Sequence, residues 1–293
     1  MSTRTPDALR TPTRRRGVTR RFVIQRDGAE LNARIKIPQN PRGLVVFAHD
    51  SGSNHKSPRN TRIAWKLNEV GLATLLVDAL THAEQALDKV TRQLRFDFAL
   101  HTRRLLAVLD WVDARGTLQE LPLCLFGSSA GAVAALGAAA ARPQRIASVV
   151  CRGGRLDRVD PEVLAQVQAP TLLLVGGLDH ASREINRLGL EHLNARSALE
   201  VIPSASHLFG EPGKLCELAE RAGVWFGGEL PEREDGPDLL EGLGLGQDWA
   251  SQPVVILGLD PDEELDWLPE PEAAAVADPA ASGRGWALDW RAA

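Results

Sequence analysis

The chain has 293 residues, of which 44% are hydrophobic and 25% charged, enough for one sizeable core with residues to spare for a tail or small second unit. A formal charge of −4 over this length excludes a chain-wide attraction to nucleic acid or anionic membrane, and no run approaches 18 uninterrupted apolar residues. Three widely spaced cysteines, Cys124, Cys151 and Cys216, match neither a disulfide framework nor a Cys/His metal cluster, so free thiols in a reducing, cytoplasmic setting are expected.

Residues 1–16 are mostly Arg, Thr and Pro without apolar periodicity and read as a disordered basic arm. Seven arginines precede residue 22, but no apolar stretch follows them, so a secretory signal is not expected. Two alternating stretches, Gly17–Gln25 and Glu30–Ile37, flank the turn signal Asp27-Gly28 and predict an antiparallel hairpin. Compact apolar runs then recur at Leu44–His49, Ala73–Asp78, Leu121–Phe126, Ile146–Cys151, Thr171–Val175 and Leu199–Pro203. Helical patterns separate or follow them at about 61–70, 91–114, 130–141, 161–167, 182–195 and 213–226. This rhythm predicts an α/β fold over residues 17–227, an eight-stranded, mostly parallel sheet flanked by helices. From Gly228 to the C-terminus 16 acidic residues face 3 basic ones, and four of the seven tryptophans lie there. Residues 228–293 therefore read as a largely disordered acidic tail, able to dock on a protein partner through its tryptophans or to act as a solvating segment.

Chemistry concentrates where runs end. Leu121–Phe126 leads into Gly127-Ser128-Ser129-Ala130-Gly131 and an alanine-rich helix, which is G-x-S-x-G between a strand and a helix. The small neighbours suit a strained turn that presents Ser129 Oγ as a nucleophile, with the Ala130 N–H at the helix start aimed at a developing oxyanion. Serine needs a base and an orienting acid. Thr171–Val175 runs into Gly176-Gly177-Leu178-Asp179, and Leu199–Pro203 into Ser204-Ala205-Ser206-His207, which places a carboxylate and an imidazole at the same sheet edge. Asp179 is thus the expected triad acid, with capping of the next helix as its structural alternative, and His207 is the expected base. His180, adjacent to Asp179, is poorly placed to be oriented by it.

The order Ser, Asp, His with the loop His49-Asp50-Ser51-Gly52-Ser53 resembles the dienelactone-hydrolase-like branch of the α/β-hydrolase superfamily, over roughly residues 17–227. The resemblance implies an α/β-hydrolase fold and a second oxyanion donor at the backbone N–H of Ser51. Two differences stand out: dienelactone hydrolases use a cysteine where this chain has Ser129, and their usual His-Gly loop is here His49-Asp50. No block between Cys151 and Thr171 is long enough for a large cap, so an open site is expected. Arg152, Arg155 and Arg59 lie near this edge and could clamp an anionic substrate, or serve as solvated loop cations.

The expected function is hydrolysis of a small carboxylic ester or lactone through an acyl-serine, with no cofactor, metal, nucleic acid or membrane implied. The same triad serves amides and thioesters. A non-catalytic scaffold acting through its charged termini is the alternative from another class.

Overall fold

A computed structural model describes residues 17–49 and 54–230. β1 (Val18–Arg26) and β2 (Ala29–Ile37) pair antiparallel, from Val18 opposite Ile37 to Arg26 opposite Ala29. Asp27 and Gly28 between them have φ of 50° and 67°, the left-handed turn backbone whose twist matches the strands it joins. The chain continues through β3 (Gly43–Ala48), α1 (Pro58–Glu69), β4 (Leu72–Val77), α2 (His82–Thr91), α3 (Phe98–Asp113) and α4 (Gly116–Gln119). After these come β5 (Leu123–Ser128), α5 (Ala130–Ala141), β6 (Ile146–Arg152), α6 (Pro161–Gln166), β7 (Thr171–Gly176), α7 (His180–Leu190), β8 (Ser197–Ile202) and α8 (Lys214–Glu229). The strand order is β1-β2-β4-β3-β5-β6-β7-β8, and β2 alone runs against its neighbours, pairing antiparallel with both β1 and β4.

The unbroken apolar runs follow from burial on both faces, the usual condition of parallel strands. β3, β4, β5 and β7 are buried at every position. Alternate residues feed two cores: Val46, Leu75, Leu125 and Val149 pack with Leu105, Leu109 and Leu136 of α3 and α5 on one face. On the other, Val45, Phe47, Phe126 and Leu174 pack with Ile63 and Leu67 of α1 and Leu218 and Phe226 of α8.

Two boundaries differ from the sequence expectation. The helix expected over 91–114 is α3 alone, preceded by a separate α2 and a short 3-10 turn at Leu94–Phe96. α2 begins at a capping box in which Thr81 and Glu84 each accept the other's backbone N–H, at 3.2 and 2.8 Å, and it ends where Arg92 turns left-handed at φ 57°. Asp97 then caps α3 by accepting from Leu100 N at 2.9 Å. At the other end, α8 runs past residue 227 to Glu229, and Leu230 is buried in the second core while its carbonyl accepts from Arg42. The fold thus needs three residues that the sequence reading assigned to the tail.

The basic arm 1–16, the tail beyond Leu230, and Asp50 and Ser51 lie outside the described residues. Between β6 and β7 there is only a 3-10 turn and the six-residue α6, as expected for a site with no large cap. Among the described residues no helix is long and apolar enough to cross a membrane. The parallel strands β3, β5, β6, β7 and β8 all end on one edge of the sheet, which carries the candidate site.

Candidate active site

β5 ends at Ser128 and α5 starts at Ala130, so Ser129 makes the whole reversal, with φ 51° and ψ −116°. An L-residue with positive φ outside the αL basin costs about 1–3 kcal/mol and persists only where its surroundings hold it. Here Ser129 N donates to Arg152 O at 2.9 Å, and Ser129 O accepts from Ala132 N at 3.1 Å and Arg155 N at 3.3 Å. Gly131 explains the second glycine of the motif: a Cβ there would lie 2.1 Å from Ala48 O, so only glycine lets the first turn of α5 rest on the end of β3. The Ala130 N–H is in the first turn of α5, where no intrahelical acceptor exists.

Asp179 follows β7 and uses its two oxygens separately. Oδ1 accepts from Ser182 N at 3.1 Å and caps α7, while Oδ2 lies 2.6 Å from His207 Nδ1. The Asp179 carboxylate therefore caps α7 and contacts the His207 imidazole at once. Burial alone would raise its pKa, but the hydrogen bonds from Ser182 and His207 outweigh it and hold the carboxyl below the ordinary aspartate range. Ser182 Oγ also lies 3.3 Å from His207 Nδ1. Gly153, left-handed at φ 52°, packs against the ring, where a Cβ would lie 3.0 Å from His207 Cε1. The 152–153 segment thus touches both the Ser129 backbone and the His207 imidazole. His180 instead begins α7.

A search of family models finds no match. A solved dienelactone hydrolase from Anabaena variabilis is 43% identical, with a TM-score of 0.72, and the match covers 74% of this chain and 100% of that one. The chain belongs to the α/β-hydrolase superfamily. A lidless α/β serine hydrolase from Xanthomonas campestris (22% identity, TM-score 0.60) matches 75% of this chain and 98% of its own. Est1E from Butyrivibrio proteoclasticus (17%, TM-score 0.58) matches 72% and 98%. These two likenesses show the fold. A curated Mycobacterium tuberculosis protein, whose name proposes phosphoribosyl transfer, is 43% identical over 192 residues, 66% of this chain and 42% of that protein. The chain thus spans less than half the length of the curated relatives it matches.

Other residues singled out in the sequence fall differently. Arg152 is no loop cation: it is the last residue of β6 and only 7% exposed, because its strand position points it inside. Arg155 is held by Asp157 through two bonds, at 2.8 and 2.7 Å, which occupies the guanidinium fork a substrate carboxylate would need. Arg59 is exposed in the first turn of α1. Cys151 is fully buried, and burial pushes its thiol and that of Cys124 up to about 12, so neither is a nucleophile at neutral pH. Cys216 is free and half-buried.

Sequence reasoning missed a buried polar network beside the site. Asp78, just past β4, accepts from His55 N at 2.6 Å and lies 2.9 Å from His55 Nδ1, with Gln85 Nε2 at 3.2 Å on its other oxygen. Burial opposes its ionisation, but the bonds and charge of His55 prevail and its pKa lies below the ordinary value. His49, at the end of β3, meets Asn60 Nδ2 at 2.8 Å through Nδ1. Burial lowers its pKa to about 4; Asp78 opposes this, and His55, Arg152 and Arg34 add to it. Only the clustering of His, Asn and Asp after two successive strands signals this network in the sequence. Ser182 had a clearer signal, since it stands three residues after a helix-capping Asp179.

Proposed function

We propose that the chain is a serine-dependent hydrolase of carboxylic esters or lactones, working through an acyl enzyme on Ser129. The observation that carries this reading is the 2.6 Å contact between Asp179 and His207 Nδ1, set beside a serine at φ 51° by Gly153 and Arg152. Asp179 accepts from Nδ1–H, which leaves Nε2 as the free base. His207 Nε2 takes the Ser129 proton as Oγ adds to the carbonyl carbon, then gives it to the leaving alkoxide as the C–O bond breaks. Water repeats the sequence on the acyl-serine and releases the acid. Ala130 N–H faces the oxyanion, with Ser51 N–H as the second donor suggested by family resemblance. Thioesters and amides suit the same steps.

The mycobacterial relatives' name adds no phosphoribosyl chemistry here, because the match covers only 42% of that protein. The test is labelling with a fluorophosphonate and turnover of short p-nitrophenyl esters. Labelling at Ser129 that vanishes in Ser129→Ala supports the enzyme. A folded protein with neither labelling nor turnover would leave the scaffold reading.

A further inference from the structure

A small cleft opens where β3 and β4 end, between the sheet and α3, with His49, Asp78, Arg104, Phe47, Leu105 and Ala134 among its walls. Its volume is about 20 Å³, room for a single group of roughly the size of water. The surround is mainly apolar with a few converging polar atoms, the usual makeup of a ligand subsite. Two polar atoms of these wall residues have no hydrogen-bond partner among the described residues: His49 Nε2 and Arg104 Nε, on residues only 2% and 8% exposed. Buried polar atoms are rarely left so, and two in one small cleft point to a missing acceptor.

The chemistry of that acceptor follows from the donors. Asn60 Nδ2 donates to His49 Nδ1, so the ring proton sits on Nε2, and Arg104 Nε–H can only donate. The charge of Arg104 is already met by Glu84 at 3.1 Å, and the Asp78 carboxylate shares the cleft wall. An anion would meet Asp78, whereas a neutral carbonyl oxygen offers two lone pairs to two N–H groups. β3 adjoins β5, and strands lie about 4.8 Å apart, so the cleft is about 5–10 Å along the edge from Ser129.

We propose that this cleft is a substrate subsite for an uncharged carbonyl oxygen, so that the preferred esters carry a second carbonyl about three to five bonds from the one Ser129 attacks. The inference rests on the ester-hydrolase reading and looks for substrate recognition away from Arg152 and Arg155.

The kinetic test compares p-nitrophenyl 5-oxohexanoate with p-nitrophenyl hexanoate. Two added hydrogen bonds predict a kcat/KM ratio of about 10 or more in favour of the oxo ester. In Arg104→Lys, which keeps a cation for Glu84 but lacks Nε–H, the ratio falls well below the wild-type value; an unchanged ratio overturns the proposal. The binding test needs no turnover: the His49 imidazole resonances of 15N-labelled Ser129→Ala protein are titrated with ethyl 5-oxohexanoate and ethyl hexanoate. A shift with the oxo ester alone supports the subsite. A shift with both or neither means that the cleft holds water only and overturns it. Fluorophosphonate labelling of the wild type decides the hydrolase reading separately.

Discussion

Replacing Gly153 with alanine should separate the machinery of His207 from ordinary backbone strain. At φ 52° an alanine pays the left-handed penalty of about 1–2 kcal/mol, and its Cβ would also lie 3.0 Å from His207 Cε1 and 3.2 Å from Nδ1. Those distances are several tenths of an ångström inside ordinary contact, so the imidazole must move while its 2.6 Å bond to Asp179 resists. A displacement of about 1 Å costs roughly 100-fold in rate, so a shift of a few tenths should lower kcat by about 10-fold, with KM within about 2-fold. Gly28→Ala is the control, because Gly28 has φ 67° but nothing within 4 Å of an added Cβ. Kinetics on p-nitrophenyl butyrate and thermal melts of both variants read the two effects. Melting losses in both variants, at least as large in Gly153→Ala, with a kcat loss confined to Gly153→Ala are expected. A Gly153→Ala enzyme with wild-type kcat, or an equal kcat loss in Gly28→Ala, refutes the positioning argument.

Asp179→Asn should keep the cap on α7, since Asn caps as well as Asp, yet lower kcat by about 10³–10⁴-fold because the imidazole tautomer is no longer held; a loss under about 10-fold would remove Asp179 from the triad. Stability should fall as pH drops from 6.5 towards 4, because His49 titrates near 4 when folded and near 6.5 when unfolded, so the unfolded chain binds the extra proton. The loss is on the order of 3 kcal/mol, and melts from pH 7 to 4 should show a shallower decline in His49→Gln. A chain ending at Leu230 should melt above one ending at Gly227, since Leu230 burial contributes about 2 kcal/mol and each kcal/mol shifts Tm by about 2–4 °C; identical melting curves would exclude Leu230 from the core.

β3, β4, β5 and β7 were readable because parallel strands buried on both faces leave unbroken apolar runs, and the β1–β2 hairpin because its alternation flanks Asp27-Gly28; each of the eight strands lies within two residues or so of its predicted start. The positions of Ser129, Asp179 and His207 at one sheet edge were readable because each follows the end of such a run. α2 was missed because exposed Leu87 and Val90 blur its apolar face, although the Thr81–Glu84 pair marks its start. Arg152 was misread because a strand residue next to two glycines looks like loop. The His49–Asn60 and His55–Asp78 contacts join segments 11 and 23 residues apart, and only the folded chain brings them together.

The division of labour within the Asp179 carboxylate has a consequence for how this molecule ages under heat. One oxygen secures the first turn of a helix and the other holds the His207 imidazole, so fraying of that turn and loosening of the imidazole are a single event. The amide of Ser182 is then a sentinel: its rate of hydrogen exchange reports how often the His207 imidazole loses its anchor, long before the sheet itself comes apart.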